Sequence, residues 1–190
     1  MNAIVQGSKA APPAKGGTAL VRVEDTNTHQ YLTFSLHGEM FAVAILNVKE
    51  IIEYGNLTEI PMMPAFIRGV INLRGAVVPV IDLAVRFGNT TSEVGKRTCI
   101  VIVEVQEGGE NGSRHDIGIM VDAVSEVLEI PASEIEPPPS FGAKIRADFI
   151  AGMGKVTGKF IIILNIMTVL SVEEIAMLAT AAGKENTLAN

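Results

Sequence analysis

The chain has 190 residues, 48% of them hydrophobic, so it can build a real core as one domain or two small ones. A formal charge of −6, with no basic stripe to neutralise phosphates, excludes nucleic acid as a main partner. The single cysteine, Cys99, excludes an internal disulfide and suits a reducing cytosol; within TCIVIV it is expected as a small buried hydrophobe.

Residues 1–28 mix Ala, Pro, Gly and Lys without periodicity and are expected as a flexible tail, with neither a signal-peptide core nor a membrane span. The folded part is predicted over 29–182, with a second short tail at 183–190. Its first half (about 31–87) offers five short strands: YLTFSLH, FAVAI, LTEI, FIRGVINL and AVVPVID. Residues 46–52 stay ambiguous, because Ile45, Val48 and Ile52 have helical spacing while Val48–Ile51 could begin a strand. The second half (about 98–170) offers TCIVIVEV, DIGIMV, EVLEI, FIAGMGKV and KFIIILN. His37-Gly38, Arg74-Gly75 and Thr157-Gly158 each stand between two such runs, as hairpin turns do. QEGGENGSRHD (106–116) reads as a flexible hairpin tip, and IPASEIEPPPSFG (130–142) as an extended connection, since three prolines forbid a helix beyond Glu136. Ser171-Val172-Glu173-Glu174 fits a capping box opening a helix over about 172–182, with Ile175, Leu178 and Ala179 on its apolar face. The fold class is therefore all-β with short helices, with enough strands in each half for a five-stranded barrel.

The two halves repeat each other. FIRGVINLRGAVVPVIDL (66–83) aligns without a gap on FIAGMGKVTGKFIIILNI (149–166), and FAVAILNVKEII (41–52) on IGIMVDAVSEVL (117–128). A duplication means one fold built twice, so function is sought where the copies differ. Arg68, Arg74 and Asp82 in the first copy stand against Ala151, Thr157 and Asn165 in the second. The shared glycines are structural: Gly75 and Gly158 close turns, while Gly69 and Gly152 lie inside strands and mark a bulge or a close backbone approach. Pro79 cannot donate to a ladder, which predicts an edge or bulged strand and a more open first barrel, whereas Ile162 can pair fully.

Catalytic patterns are missing. His29, His37 and His115 have no metal-site spacing, and neither GxSxG nor a Walker A loop occurs; no metal or cofactor is expected. A duplicated β-lobe raises the aspartic-protease dyad, but the equivalent positions are Asp82 and Asn165, and an amide cannot share a proton with a carboxylate. Both side chains are expected instead to accept backbone hydrogen bonds at a strand end. Arg74 is expected to project from its turn into water, and Glu50, if close, would orient it.

PAFIRGVINLRGAVVPVIDL (64–83), preceded by QYLTFSL, FAVAI and VKEI, strongly resembles the CheW family of bacterial chemotaxis coupling proteins. IGIMVDAVSEVLEI, IEPPPSF and the closing SVEEIAMLATAA resemble its second half, so the likeness covers about 29–182. The resemblance implies two intertwined SH3-like five-stranded barrels. It implies a non-catalytic cytoplasmic scaffold, recruited to membrane receptor arrays without inserting into the membrane. That scaffold joins the histidine kinase CheA, through its homologous regulatory domain, to the cytoplasmic tips of chemoreceptors. By matching position it assigns Val48, Glu50, Arg68 and Arg74 to a receptor-binding region, an apolar groove with charged edges between the barrels. The unpatterned leader carries none of these motifs. Deleting residues 1–25 should therefore leave a ternary assembly unchanged in co-sedimentation, and loss of the complex would make the leader a binding segment.

Overall fold

The computed structural model describes residues 27–140 and 145–177. Strands dominate because β-branched and aromatic runs alternate between a buried and an open face. In the first half these are β1 (Thr28–Leu36), β2 (Glu39–Ala44), β3 (Val48–Glu53), β4 (Ile67–Leu73) and β5 (Ala76–Asp82). The second half supplies β6 (Cys99–Gln106), β7 (Arg114–Val121), β8 (Ala123–Pro131), the two-residue β9 (Ile135–Glu136), β10 (Ile150–Val156) and β11 (Lys159–Leu164). One-turn helices follow the last strand of each half, α1 (Leu83–Arg86) and α2 (Ile166–Val169), and a further helix starts at 172 and is described to 177.

The expected turns form where glycine allows them. His37, Arg74 and Thr157 have φ of 48°, 51° and 47°, each followed by a glycine that also has positive φ. Two successive positive φ values make the tight turn whose twist matches its flanking strands. At 31–87 and 98–170 the copies do not each make their own sheet. The hairpin β1–β2 joins strands of the second copy in the order β8-β1-β2-β11-β10-β9, and β6–β7 joins the first copy as β3-β6-β7-β5-β4. Apart from the two-residue β9, which has no counterpart strand, the two orders superpose under the duplication, so the halves are intertwined by a reciprocal exchange of their leading hairpins.

Each sheet holds its own apolar cluster: Tyr31, Ile130, Ile161 and Ile163 in one, Val78, Val80, Ile100 and Met120 in the other. A third and larger cluster lies between the sheets and draws on both, including Phe34, Phe41, Phe87 and Phe149. Neighbouring rings along that series are 5.6 to 6.1 Å apart, a normal aromatic packing distance.

Several expectations change. LTEI is not a strand; of it only Thr58 pairs, in a single bridge to Val70. The ambiguous segment instead becomes a 3-10 turn at Ile45–Asn47 followed by β3. Exposure alternates along β3, so pairing with β6 overrides the helical spacing of Ile45, Val48 and Ile52. Cys99 is half-buried rather than buried, because it opens β6 at the rim of the core. Pro79 lies on β5, an inner strand, with no register shift at its pairing with Val70. Val70 spends its own N–H and C=O on Thr58, so the ring nitrogen of Pro79 faces away from β4, toward β7. Parallel pairing with β7 begins only at Val80, one residue beyond the missing donor. In the second copy Ile162, which has an N–H, does pair, with Phe41. Leu178, Ala179, most of the leader and the closing tail lie outside the described residues.

Gly69 and Gly152 sit at matching bulges in β4 and β10. A Cβ on Gly69 would stand 2.5 Å from the Thr58 carbonyl oxygen, and one on Gly152 would stand 2.6 Å from Ile135. Gly69→Ala should therefore destabilise the fold by about 1–3 kcal/mol, since its φ of 147° adds backbone strain to the clash. Gly55→Ala, which meets nothing within 4 Å, should stay within about 0.5 kcal/mol in the same denaturant titration.

Candidate functional site

β3 and β4 are the two edges of one sheet, and the β4–β5 turn carries Arg74 across to Glu50 on β3. The guanidinium grips the carboxylate at both ends: Nη1 to Oε1 and Nη2 to Oε2, each 2.9 Å. Two parallel bonds fix the orientation of the arginine as well as its place. The Arg74 side chain is 77% exposed, whereas Glu50 is mostly covered, so the carboxylate acts as a seat and the cation is presented to solvent. Asn72 Oδ1 accepts from the Gly75 N–H at 2.9 Å and braces the turn. At the matching positions, Glu126 and Thr157, no such pair can form, because threonine carries no charge.

A bulge between Val48 and Glu50 pushes Lys49 out of register. Its ammonium bridges Asp116 at 2.8 Å and Glu104 at 3.0 Å, and Arg114 reaches Glu104 at 3.2 Å. Hydrogen bonds donated by Lys49 to Asp116 and then to Glu104 raise its pKa above 10.5, so it stays charged at neutral pH. Lys49 also lines an apolar groove of about 450 Å³ that opens from the inter-sheet core. Val77, Pro79 and Ile81 of β5 face Ile117 of β7 across it, and Val172 and Ile175 of the closing helix form a wall. The groove lies at the parallel seam where Pro79 delays pairing. The second copy has the same seam and a larger groove, about 610 Å³, lined by Met40, Phe160 and Ile162 among others. The first half, expected to be the more open, is so on neither count: its seam has three parallel pairs against two in the second half, and its groove is the smaller.

The structure gathers Glu50 and Arg74, and places Val48, half-buried, two residues from Glu50 on the same strand. It does not bring Arg68 to them. Arg68 stands at the far end of β4, about 20 Å away along an extended strand. There it lines a separate cleft with Tyr54 and Glu59. Asp82 and Asn165 cap α1 and α2, as expected of side chains at a strand end: Asp82 Oδ1 accepts from Ala84 and Val85, and Asn165 Oδ1 from Thr168. Among the described residues no three His, Cys, Asp or Glu side chains converge as metal ligands, and no helix is long and apolar enough to cross a membrane.

One charged cluster escaped the sequence reading. Arg86, with its side chain 5% exposed, lies over the rings of Phe66 at 5.2 Å and Phe149 at 4.8 Å, two residues equivalent in the repeat. Its Nε donates to the Val169 carbonyl at 2.9 Å. Nη2 lies 3.1 Å from Glu174 Oε1 without an aligned hydrogen bond. Arg146 closes on the same carboxylate oxygen at 2.5 Å, holds Asp148 and stacks on Phe149 at 4.3 Å. The capping box is therefore half made: Ser171 Oγ accepts from the Glu174 N–H at 3.4 Å, but the Glu174 carboxylate turns to the arginines. Extending the repeat alignment by three residues would have exposed this cluster, since it sets Arg86 against the apolar Val169.

Arg146 is the main cause that lowers the Glu174 pKa below its usual 4.5, with Arg86 adding to it and burial opposing both. A carboxyl group whose pKa is lower folded than unfolded stabilises the fold above its unfolded value and loses that contribution as pH falls through the folded one. Thermal unfolding below pH 4.5 should therefore lose stability faster in the unaltered chain than in Glu174→Gln; parallel pH profiles would exclude this role.

The profile of the CheW-like domain family matches residues 30–174. The chain is 34% identical to the chemotaxis protein CheW of Klebsiella aerogenes over 83% of this chain and 91% of that one. It is 31% identical to protein FrzA of Myxococcus xanthus over 68% and 76% of the two chains. The crystal structure of the scaffolding protein TtCheW from Thermoanaerobacter tengcongensis superposes with a TM-score of 0.66 at 38% identity, covering 74% of this chain and 86% of the other. Matching profile, relatives and fold all agree that the chain belongs to the CheW-like domain family.

Proposed function

We propose that this protein is the non-catalytic adaptor of a chemotaxis pathway, holding the histidine kinase CheA in register with the cytoplasmic tips of chemoreceptors. The observation that carries this reading is the bidentate Glu50–Arg74 pair, built in one copy of a duplicated fold and impossible in the other. A structural requirement of the fold would have been met twice. An exposed pair adds only about 0–1 kcal/mol to stability, so its value lies in presenting an oriented cation. Membership of a family whose relatives are named as chemotaxis and scaffolding proteins supports the same conclusion.

The receptor site is Val48, Glu50 and Arg74 beside the groove, with Arg68 as a second, separate contact. A carboxylate on the receptor helix would engage the outer face of Arg74, while apolar residues enter the groove past Val77 and Pro79. The kinase domain of related fold binds elsewhere, so both partners are held together. The scaffold works in the cytoplasm and reaches receptor arrays only by binding them.

Arg74→Ala should weaken binding to a receptor-tip fragment about tenfold, the loss of one oriented charged contact worth about 1.4 kcal/mol. Kinase binding and the unfolding midpoint should barely move, and Thr157→Ala should change neither partner. Equal loss of both partners, with an unfolded circular dichroism spectrum, would turn Arg74 into a folding residue and remove it from the site.

A further inference from the structure

The closing helix carries two sets of contacts on one turn. Val172 and Ile175 form a wall of the groove beside Lys49 and Val77. Glu174, between them in sequence, is not among the groove residues; it points to Arg86 and Arg146. These two arginines are anchored independently of the helix. Arg86 is packed on Phe66 and Phe149 and bonded to the Val169 carbonyl, and Arg146 is bonded to Asp148. Asp148 already takes part of the Arg146 charge; Arg86 also acts on Asp148 from a distance, but among the described residues Glu174 is the only carboxylate within ion-pair distance of it.

We propose that Glu174 is a positioning residue for the groove: its pairing with Arg86 and Arg146 docks the closing helix so that Val172 and Ile175 complete the receptor-facing wall. The inference rests on the receptor reading above and extends it to a residue that touches no receptor. Removing one member of a largely buried ion pair leaves the other charge uncompensated, so the helix, not the sheet, bears the loss. The groove then keeps Val77, Pro79 and Ile117 but loses one side.

Two measurements on the full chain test this. In a Cys99→Ser background, the alkylation rate of an Ile175→Cys thiol reports helix docking without any partner. Adding Glu174→Gln should raise that rate several-fold. Unchanged alkylation would overturn the proposal whatever the receptor does. Receptor-tip binding is then measured for Glu174→Gln, Ile175→Ser and both together. Each single change should weaken binding about fivefold with kinase binding kept, and the double should be no worse than either single, as expected when both act through one wall. Full additivity, or unaltered affinity in Glu174→Gln, overturns the proposal while leaving the receptor site standing. Failure of the unaltered chain to bind the receptor tip at all overturns the receptor reading and the wall's role with it. Should Glu174→Gln unfold, the half-exposed Arg146→Gln, which removes only one of the two partners, takes its place with the same expected directions.

Discussion

Neither half of this chain can finish its own sheet, because the hairpin that opens each half is spent on the other. β1–β2 fills the gap between β8 and β11, and β6–β7 fills the gap between β3 and β5. This reciprocal debt makes the molecule one cooperative unit, because β1–β8, β2–β11, β3–β6 and β5–β7 all pair segments far apart in sequence. It also creates the grooves. A hairpin arriving from the other copy meets its second neighbour in parallel, and those parallel seams span only two or three residue pairs before the strands diverge. The equivalent Phe66 and Phe149 both lie against one buried arginine, Arg86.

Two arginines of the first half show how the same charge serves different ends. Arg74 is solvated, so its bond to Glu50 costs little to open and a partner's carboxylate can share it. Arg86 is sealed from water and must be compensated by a carbonyl, two aromatic faces and Glu174. The second copy has Thr157 and Val169 at these places, so the repeated strand framework itself requires neither cation. One departure from the repeat makes a presented contact, and the other fastens a helix beside it. Pro79 is a third departure on the same groove: it removes one parallel rung where Ile162 in the other copy keeps it.

Hairpin turns, in-strand glycines and helix caps were legible in the residues because each depends on a few neighbours. A positive φ at Arg74-Gly75 follows from the turn, and the place of Gly69 from the missing Cβ. The duplication is equally legible and marks Arg68, Arg74 and Asp82 alike as positions where the copies differ; of these only Arg74 meets Glu50. β3 was not legible, because its apolar spacing fits a helix and a strand alike, and only its pairing with β6 decides between them. Pro79 misled for a related reason: a missing donor argues for an edge only if the strand is paired along its whole length on both sides, and β5 is not.

Local stereochemistry, hydrophobic period and the internal repeat thus settle which segments turn, which extend and which positions break symmetry. Contacts across the fold follow different rules. Bringing Arg74 to Glu50, Lys49 to Asp116, and Glu174 to a buried Arg86 requires the hairpin exchange and the docking of the closing helix. Those distances depend on how whole strands pair and stack. No periodicity within a segment encodes them, so the candidate site emerged as a list of residues and became a surface only in the folded chain.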